Sequence, residues 1–390
     1  MMRHLDKNRA PIRPFRIDIP QSQINDLRER INHTRWPDEL PGGGGGSGWG
    51  YGAPLGYVKP LAEYWRDRYD WRKYEERLNE FAQFTTTIDG ANVHFLHVRS
   101  PEPGAMPLLL SHGWPGSIVE FIHLIEPLTN PRAHGGKPGD AFHVVVPSIP
   151  GFGFSGPTRE GGWDVQRVAR AFATLMSRLG YERFGAHGGD FGAMVSRELG
   201  LQVPERIFGV HVLQLFSFPS GDPAEMVDLS QDEQRRLTKL ARWRSEQSAY
   251  AMVQSTRPQT IAYSLHDSPV GQLAWIVDFF AAHGHHVDQV DRDLLLTNVM
   301  LYWLTGTAGS SARLYLENAR GGAWETPRPS ATPTGVAVFA HDFESIRRFA
   351  GRDNPRIVQW SEFERGGHFA ALEQPELLIG DVRGFFRRFR

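Results

Sequence analysis

At 390 residues the chain has room for roughly two or three domains, each able to bury its own core without disulfides or a structural metal. Lys and Arg total 43 against 44 Asp and Glu, a formal charge of -1 with no block of five like charges, which argues against a nucleic-acid partner or electrostatic binding to a membrane. The lack of cysteine excludes thiol redox chemistry, zinc–thiolate sites and cysteine-ligated iron–sulfur clusters.

Residues 1–9 are polar and charged with no apolar stretch behind them, and no run of about 18 apolar residues follows, so a soluble, cytoplasmic protein without a membrane anchor is expected. Residues 14–20 read as a short extended segment. Residues 21–34 read as an amphipathic helix, because Ile24, Leu27 and Ile31 recur at helical spacing. The glycine run 42–46 reads as a loop: no strand precedes it and no Gly-Lys-Ser/Thr helix start follows, so it does not match a phosphate cradle. Residues 57–81 read as helical, and their large aromatics, Tyr64, Trp65, Tyr69, Trp71, Tyr74 and Phe81, are expected to fix an N-terminal extension, residues 1–83, onto the main domain.

Residues 84–88 and 93–98 alternate β-formers around Asp89-Gly90, a hairpin signal that opens the main domain. Compact apolar runs follow at 108–110, 144–146, 184–186, 207–215, 335–339 and 356–360, separated by glycine-rich turns and helical stretches. Short buried strands alternating with helices imply an α/β fold, a mostly parallel sheet with helices on both faces. About 120 residues between Leu215 and Gly335 read mainly as helix. The expected division is therefore 84–215 and 331–390 as two parts of one core, with 216–330 a helical cap over the carboxyl ends of the strands.

Three loops carry the chemistry. His187-Gly188-Gly189-Asp190-Phe191-Gly192 lies between a buried strand and a helical run, with small residues two places either side of Asp190. That is the steric pattern of a nucleophile elbow, here bearing a carboxylate suited to attack on sp3 carbon. An N-cap aspartate in a glycine-rich turn is the plainer alternative. His112-Gly113-Trp114-Pro115-Gly116 follows a strand where one oxyanion-hole N–H is supplied, so the backbone donors would be Trp114 and Phe191. Near the end, Arg365-Gly366-Gly367-His368-Phe369-Ala370 offers His368 as general base, in the chain order nucleophile, acid, histidine. The orienting acid is Asp342 or Glu344; Asp342 comes sooner after its strand, whereas Glu344 fits the first turn of a helix.

At this point the chain resembles the epoxide hydrolases of the α/β-hydrolase fold, in the microsomal-type branch with an N-terminal extension. The resemblance spans nearly the whole chain: Thr34-Arg35-Trp36-Pro37, Tyr64-Trp65-Arg66, Tyr69-Asp70-Trp71-Arg72, His112-Gly113-Trp114-Pro115-Gly116-Ser117, Pro150-Gly151-Phe152-Gly153-Phe154-Ser155, Gly188-Gly189-Asp190 and Arg365-Gly366-Gly367-His368-Phe369-Ala370. It implies that the family's Phe-Pro-x-Asp/Glu acid falls on Phe339-Ala340-His341-Asp342, with Ala340 in place of the proline. It also implies that two cap tyrosines, Tyr250 and Tyr315, grip the epoxide oxygen; a phenol of pKa near 10 suits an alkoxide leaving group.

The expected reaction is hydrolysis of an epoxide to a vicinal diol through an alkyl ester on Asp190, cleaved by water that His368 activates, with no cofactor and no metal. The partners are a small-molecule epoxide and water. A haloalkane dehalogenase using the same Asp nucleophile is the nearest rival, and a serine esterase is disfavoured because Ser155 lies in a glycine loop unlike an elbow. His283-Gly284-His285-His286 with Asp288 reads as a polar loop and not a metal site, and 385–390 as an amphipathic last helical turn. Cap aromatics Trp275, Phe279 and Phe280 suggest an apolar epoxide, destined for detoxification or biosynthesis.

Overall fold

The computed structural model describes residues 10–41, 48–282, 290–322 and 328–390. Among these, nine strands form one sheet: β1 (Arg13–Phe15), β2 (Gln83–Ile88), β3 (Ala91–Val98), β4 (Met106–Ser111), β5 (Phe142–Pro147), β6 (Phe184–Gly188), β7 (Ile207–Val212), β8 (Thr334–His341) and β9 (Ile357–Gly367). Their order is β1-β2-β3-β5-β4-β6-β7-β8-β9. Pairings are antiparallel from β1 to β5 and parallel from β5 to β9. The hairpin joining β2 to β3 turns through Asp89 and Gly90, both at positive φ, as a tight two-residue connection requires. The final strand is longer than the apolar run 356–360 suggests, because β9 continues through exposed, charged residues up to Gly367.

The helices are α1 (Gln21–Asn32), α2 (Leu55–Asp67), α3 (Trp71–Asn79), α4 (Ile122–Thr129), α5 (Val165–Arg178), α6 (Phe191–Gln202), α7 (Gln231–Glu246), α8 (Ala249–Thr256), α9 (Pro258–Asp267), α10 (Pro269–Ala282), α11 (Arg292–Thr305), α12 (Ala308–Arg320), α13 (Arg347–Asp353), α14 (Ala370–Glu373) and α15 (Pro375–Phe386). Successive residues of a strand face opposite ways. On β7, Gly209 faces the Phe385 ring of α15 while Val210 lies against Gly200 of α6, so these helices cover the two faces of the sheet. A Cβ at Gly209 would lie 2.7 Å from the Phe385 ring, and the terminal aromatics dock into the core through that missing side chain. Central strands covered on both sides have no solvent-facing alternation, which is why β4, β5 and β6 read as continuous apolar runs.

The helical stretch 57–81 is two helices. Asp70 interrupts it by accepting a hydrogen bond from the Arg72 N–H, an N-cap that starts α3 anew. The aromatics of these helices reach the segment between β7 and β8. Tyr64 and Tyr74 donate to the two oxygens of Asp293, and the Tyr69 hydroxyl lies 2.8 Å from that of Thr297, both on α11. Helices α7 to α12 lie between β7 and β8, and they meet the loops at the carboxyl ends of β4 and β5. Tyr302 of α11 bonds the Gly116 carbonyl, Ser310 of α12 bonds that of Gly151, and the Gly153 N–H reaches Thr307. Among the described residues no helix is long and apolar enough to cross a membrane.

Candidate active site

The turn from β6 into α6 contains Asp190 at φ 51° and ψ -127°, a conformation that non-glycine residues rarely adopt. The turn is tight because Gly192 lets α6 begin against the end of β4; a Cβ there would lie 1.8 Å from the Ser111 carbonyl oxygen. Asp190 makes no side-chain capping bond to its own helix. Its Oδ1 instead accepts the Trp114 N–H at 2.9 Å, across the loop after β4. That approach also needs Gly113, whose Cβ would fall 2.3 Å from the same oxygen. Burial pushes the Asp190 carboxyl above its ordinary pKa, while His368 and the N–H groups of Trp114 and Phe191 pull it back towards the anion.

His368, directly after β9, brings Nε2 to 3.9 Å from Asp190 Oδ2 and Nδ1 to 2.8 Å from Asp342 Oδ1. Asp342 follows β8 directly and is buried. Burial opposes the imidazolium, but the charges of Asp342, Asp190 and Glu120 and the bond to Asp342 outweigh it, and the His368 pKa rises to about 9. Glu344, the other acid in reach by sequence, is engaged elsewhere, in ion pairs with Arg235 and Lys239 of α7.

Tyr250 of α8 and Tyr315 of α12 converge above this group. The Tyr250 ring stacks on Trp114 at 5.4 Å, Tyr315 meets Phe191 edge-on at 4.7 Å, and the two phenols interact with each other. Burial raises both phenols well above 10, with the Asp190 charge acting in the same direction, so each holds its proton in the resting site. Phe279 packs on His368 at 5.0 Å and Phe280 stacks on Phe369 at 4.1 Å, enclosing the site in aromatic rings. Trp275 is turned to Gln254 in a 3.0 Å hydrogen bond.

Several residues that sequence reasoning missed hold this arrangement. Gln214 bonds both the Asp190 N–H and the Asp342 carboxylate. Asn298 and Tyr302 of α11 bond the Pro115 and Gly116 carbonyls, each at 2.6 Å. His112 Nε2 accepts the Ile149 N–H at 3.2 Å, which leaves the Nδ1 proton for the Gly113 carbonyl. Glu120 is buried beside the catalytic group, and burial raises its carboxyl to about 8 against the opposing pull of His368. Apart from His112, which opens the His-Gly-Trp-Pro-Gly motif, none of these sits in a local pattern that marks it; each follows from distant segments meeting.

Other candidates stand apart. The Ser155 hydroxyl is buried, donating to the Ser148 carbonyl and accepting the His94 N–H, so it is a structural tie. The cluster His283-Gly284-His285-His286 with Asp288 lies outside the described residues. Among the described residues no group of acidic or histidine side chains is arranged to hold a metal.

Residues 12–121 match the family described as epoxide hydrolase N terminus, and residues 106–264 match the alpha/beta hydrolase fold family. The chain is 35% identical to "Epoxide hydrolase 1" of Sus scrofa over 412 residues, covering 96% of this chain and 88% of that protein. Among solved structures, juvenile hormone epoxide hydrolase from the silkworm Bombyx mori superposes with a TM-score of 0.89 at 30% identity, covering 99% of this chain and 96% of that one. Aspergillus niger epoxide hydrolase gives a TM-score of 0.84 at 31% identity, covering 97% of both chains.

Proposed function

Because this chain belongs to the epoxide hydrolases of the α/β-hydrolase fold, we propose that it opens its substrate by covalent catalysis on Asp190 and releases a vicinal diol. The observation that carries this reading is the two-sided placement of the Asp190 carboxylate. Oδ1 lies on the Trp114 N–H, and Oδ2 faces His368 and the site. In the first step Oδ2 attacks a ring carbon, the ring C–O bond breaks, and Tyr250 or Tyr315 gives its proton to the departing oxygen. The imidazolium of His368 then returns a proton to the phenolate. Its pKa falls once esterification has removed the Asp190 charge that helped to raise it.

The neutral His368, held by Asp342, takes a proton from water as that water attacks the ester carbonyl. Oδ1, which accepts the Trp114 N–H, becomes the oxyanion, with the Phe191 N–H as the second donor we assign to it, and one such donor is worth about 3 kcal/mol in comparable sites. Collapse of the tetrahedral species breaks the bond to the alkyl oxygen, which takes the remaining proton of the newly added hydroxyl. The diol leaves, Asp190 returns as a carboxylate, and the surplus proton remains on His368. The phenol pair supports an epoxide over a haloalkane, since a halide leaving group needs no proton. The substrate we infer is a small apolar epoxide, suited to walls formed by Trp114, Phe279 and Phe191.

The test is trapping. A His368→Gln variant incubated with styrene oxide is expected to gain the mass of one epoxide on the peptide bearing Asp190. An unmodified peptide, under conditions where the native enzyme turns over the same epoxide, contradicts the covalent step.

A further inference from the structure

The carboxamide of Gln214 joins two parts of the site that are far apart in sequence. Gln214 follows β7, which lies between β6, leading to the nucleophile, and β8, leading to the acid. Its side chain is 1% exposed. Oε1 accepts the Asp190 N–H at 2.6 Å and Nε2 donates to Asp342 Oδ2. The amide's orientation is fixed by chemistry, because an N–H must face an oxygen and a carboxylate must face a donor. The backbone on either side is tied in the same directions: the Leu213 N–H to the Gly188 carbonyl and the Leu215 N–H to the Ser345 hydroxyl.

Building on the covalent reading above, we infer that Gln214 is a positioning residue that couples the elbow to the triad acid and serves chiefly the hydrolysis of the ester. Attack by Asp190 on the epoxide draws its proton from a phenol, and His368 restores that phenol only after the ring has opened, so bond formation does not wait on the Asp342–His368 axis. Hydrolysis does: Asp342 must stay anionic and correctly turned while His368 accepts a proton from water. A donor on Oδ2 favours that anion and fixes the plane of the carboxylate, leaving Oδ1 directed at Nδ1. Among the described residues, the other charged or titratable groups facing this centre include Asp190 from the elbow, Glu120 from the turn after β4, Tyr250 from α8 and Lys239 of α7, which bonds the Asp342 carbonyl.

The experiment is rapid-quench mass spectrometry of the full chain with styrene oxide, which separates ester formation from ester decay, run on native protein, Gln214→Met and Gln214→Glu across pH 6 to 8. Gln214→Met keeps the shape and loses both bonds. Ester decay is expected to slow by about tenfold or more, with ester formation within about threefold, so that ester accumulates. Gln214→Glu keeps an acceptor for the Asp190 N–H and replaces the donor by a carboxyl that must be protonated to serve Asp342. Its decay rate relative to the native enzyme is expected to fall by about tenfold from pH 6 to 8, whereas the ratio for Gln214→Met stays flat. A purely structural role moves neither ratio with pH. The inference is overturned if decay stays within about threefold of native in the variants, if both steps slow equally, or if the Gln214→Glu ratio is flat. Should Gln214→Met fail to fold, the pH ratio of Gln214→Glu decides alone. Absence of any ester in the native enzyme would sink the covalent reading itself, and is thus distinct from an ester that the variants hydrolyse normally.

Discussion

In the proposed mechanism Tyr250 and Tyr315 differ from the other site residues in that the charge they handle exists only during the reaction. Burial and the nearby Asp190 carboxylate hold both phenols protonated at rest, so neither competes as a base, and each can give a proton when an alkoxide develops. Tyr250 stacks on Trp114 and Tyr315 meets Phe191 edge-on, which holds both phenols beside the residues that flank Asp190. The double variant Tyr250→Phe with Tyr315→Phe removes the acid and leaves the aromatic packing. Ester formation from styrene oxide is expected to slow by about 100-fold or more, the usual worth of general acid catalysis, while ester decay, where no alkoxide leaves a ring, changes far less. Stopped single turnovers check this; unchanged ester formation would remove the tyrosines from the mechanism. In the proposed cycle His368 behaves in the opposite way: its raised pKa favours the imidazolium at rest, and that proton is given up once Asp190 is esterified, so one imidazole would serve both halves.

The oxyanion loop after β4 is set by α11, an element nearly 200 positions later in the chain, through Tyr302 on the Gly116 carbonyl and Asn298 on the Pro115 carbonyl. Tyr302→Phe keeps the ring and leaves a buried carbonyl unpaired, which costs about 1–3 kcal/mol. The expected outcome is a lower unfolding midpoint in urea together with slower ester decay, since the Trp114 N–H rides on the same loop. A variant that loses stability but decays its ester at the native rate would separate the loop from the oxyanion. This division also marks what can be read from a sequence. The elbow at Asp190 was legible because sterics demand small residues at 188 and 192, and the Trp114 loop and His368 were legible through their places after strands and their order relative to that elbow. Asp342 was legible only as one of two acids; geometry separates it from Glu344, whose carboxylate is drawn to Arg235 and Lys239. Gln214, Glu120 and Asn298 were illegible, because their roles arise where β7, the turn after β4 and α11 come together. Among the elements, the strands of the core followed from their apolar runs. Asp70 split a stretch whose aromatic periodicity continued on both sides, and the charged second half of β9 gave no apolar signal.

Across the whole molecule, buried titratable groups set opposing limits on stability. Burial lowers His94 to about 3 and His112 to about 4, and lowers His187 strongly, against an ordinary 6.5. As pH falls below 6.5 the unfolded chain takes up protons that these imidazoles refuse in the fold, so stability is lost in acid. They outnumber Glu120, which acts the other way between 4.5 and about 8. Above 6.5 the sign reverses: the fold retains protons on His368, up to about 9, and on Glu120, up to about 8, that the unfolded chain has released. Each such proton contributes about 1.4 kcal/mol per pH unit. The thermal midpoint is therefore expected to peak near pH 6.5 and to fall on both sides, with a shallower alkaline limb in His368→Gln; a midpoint still rising at pH 9 would contradict this.

All of this depends on where the new oxygen in the diol comes from. One turnover of styrene oxide in heavy-oxygen water, with enzyme in excess, measures it directly. The first diol is expected to carry an unlabelled oxygen drawn from Asp190, with the label entering that carboxylate; heavy oxygen in the first diol, with an unlabelled Asp190, would contradict the covalent step.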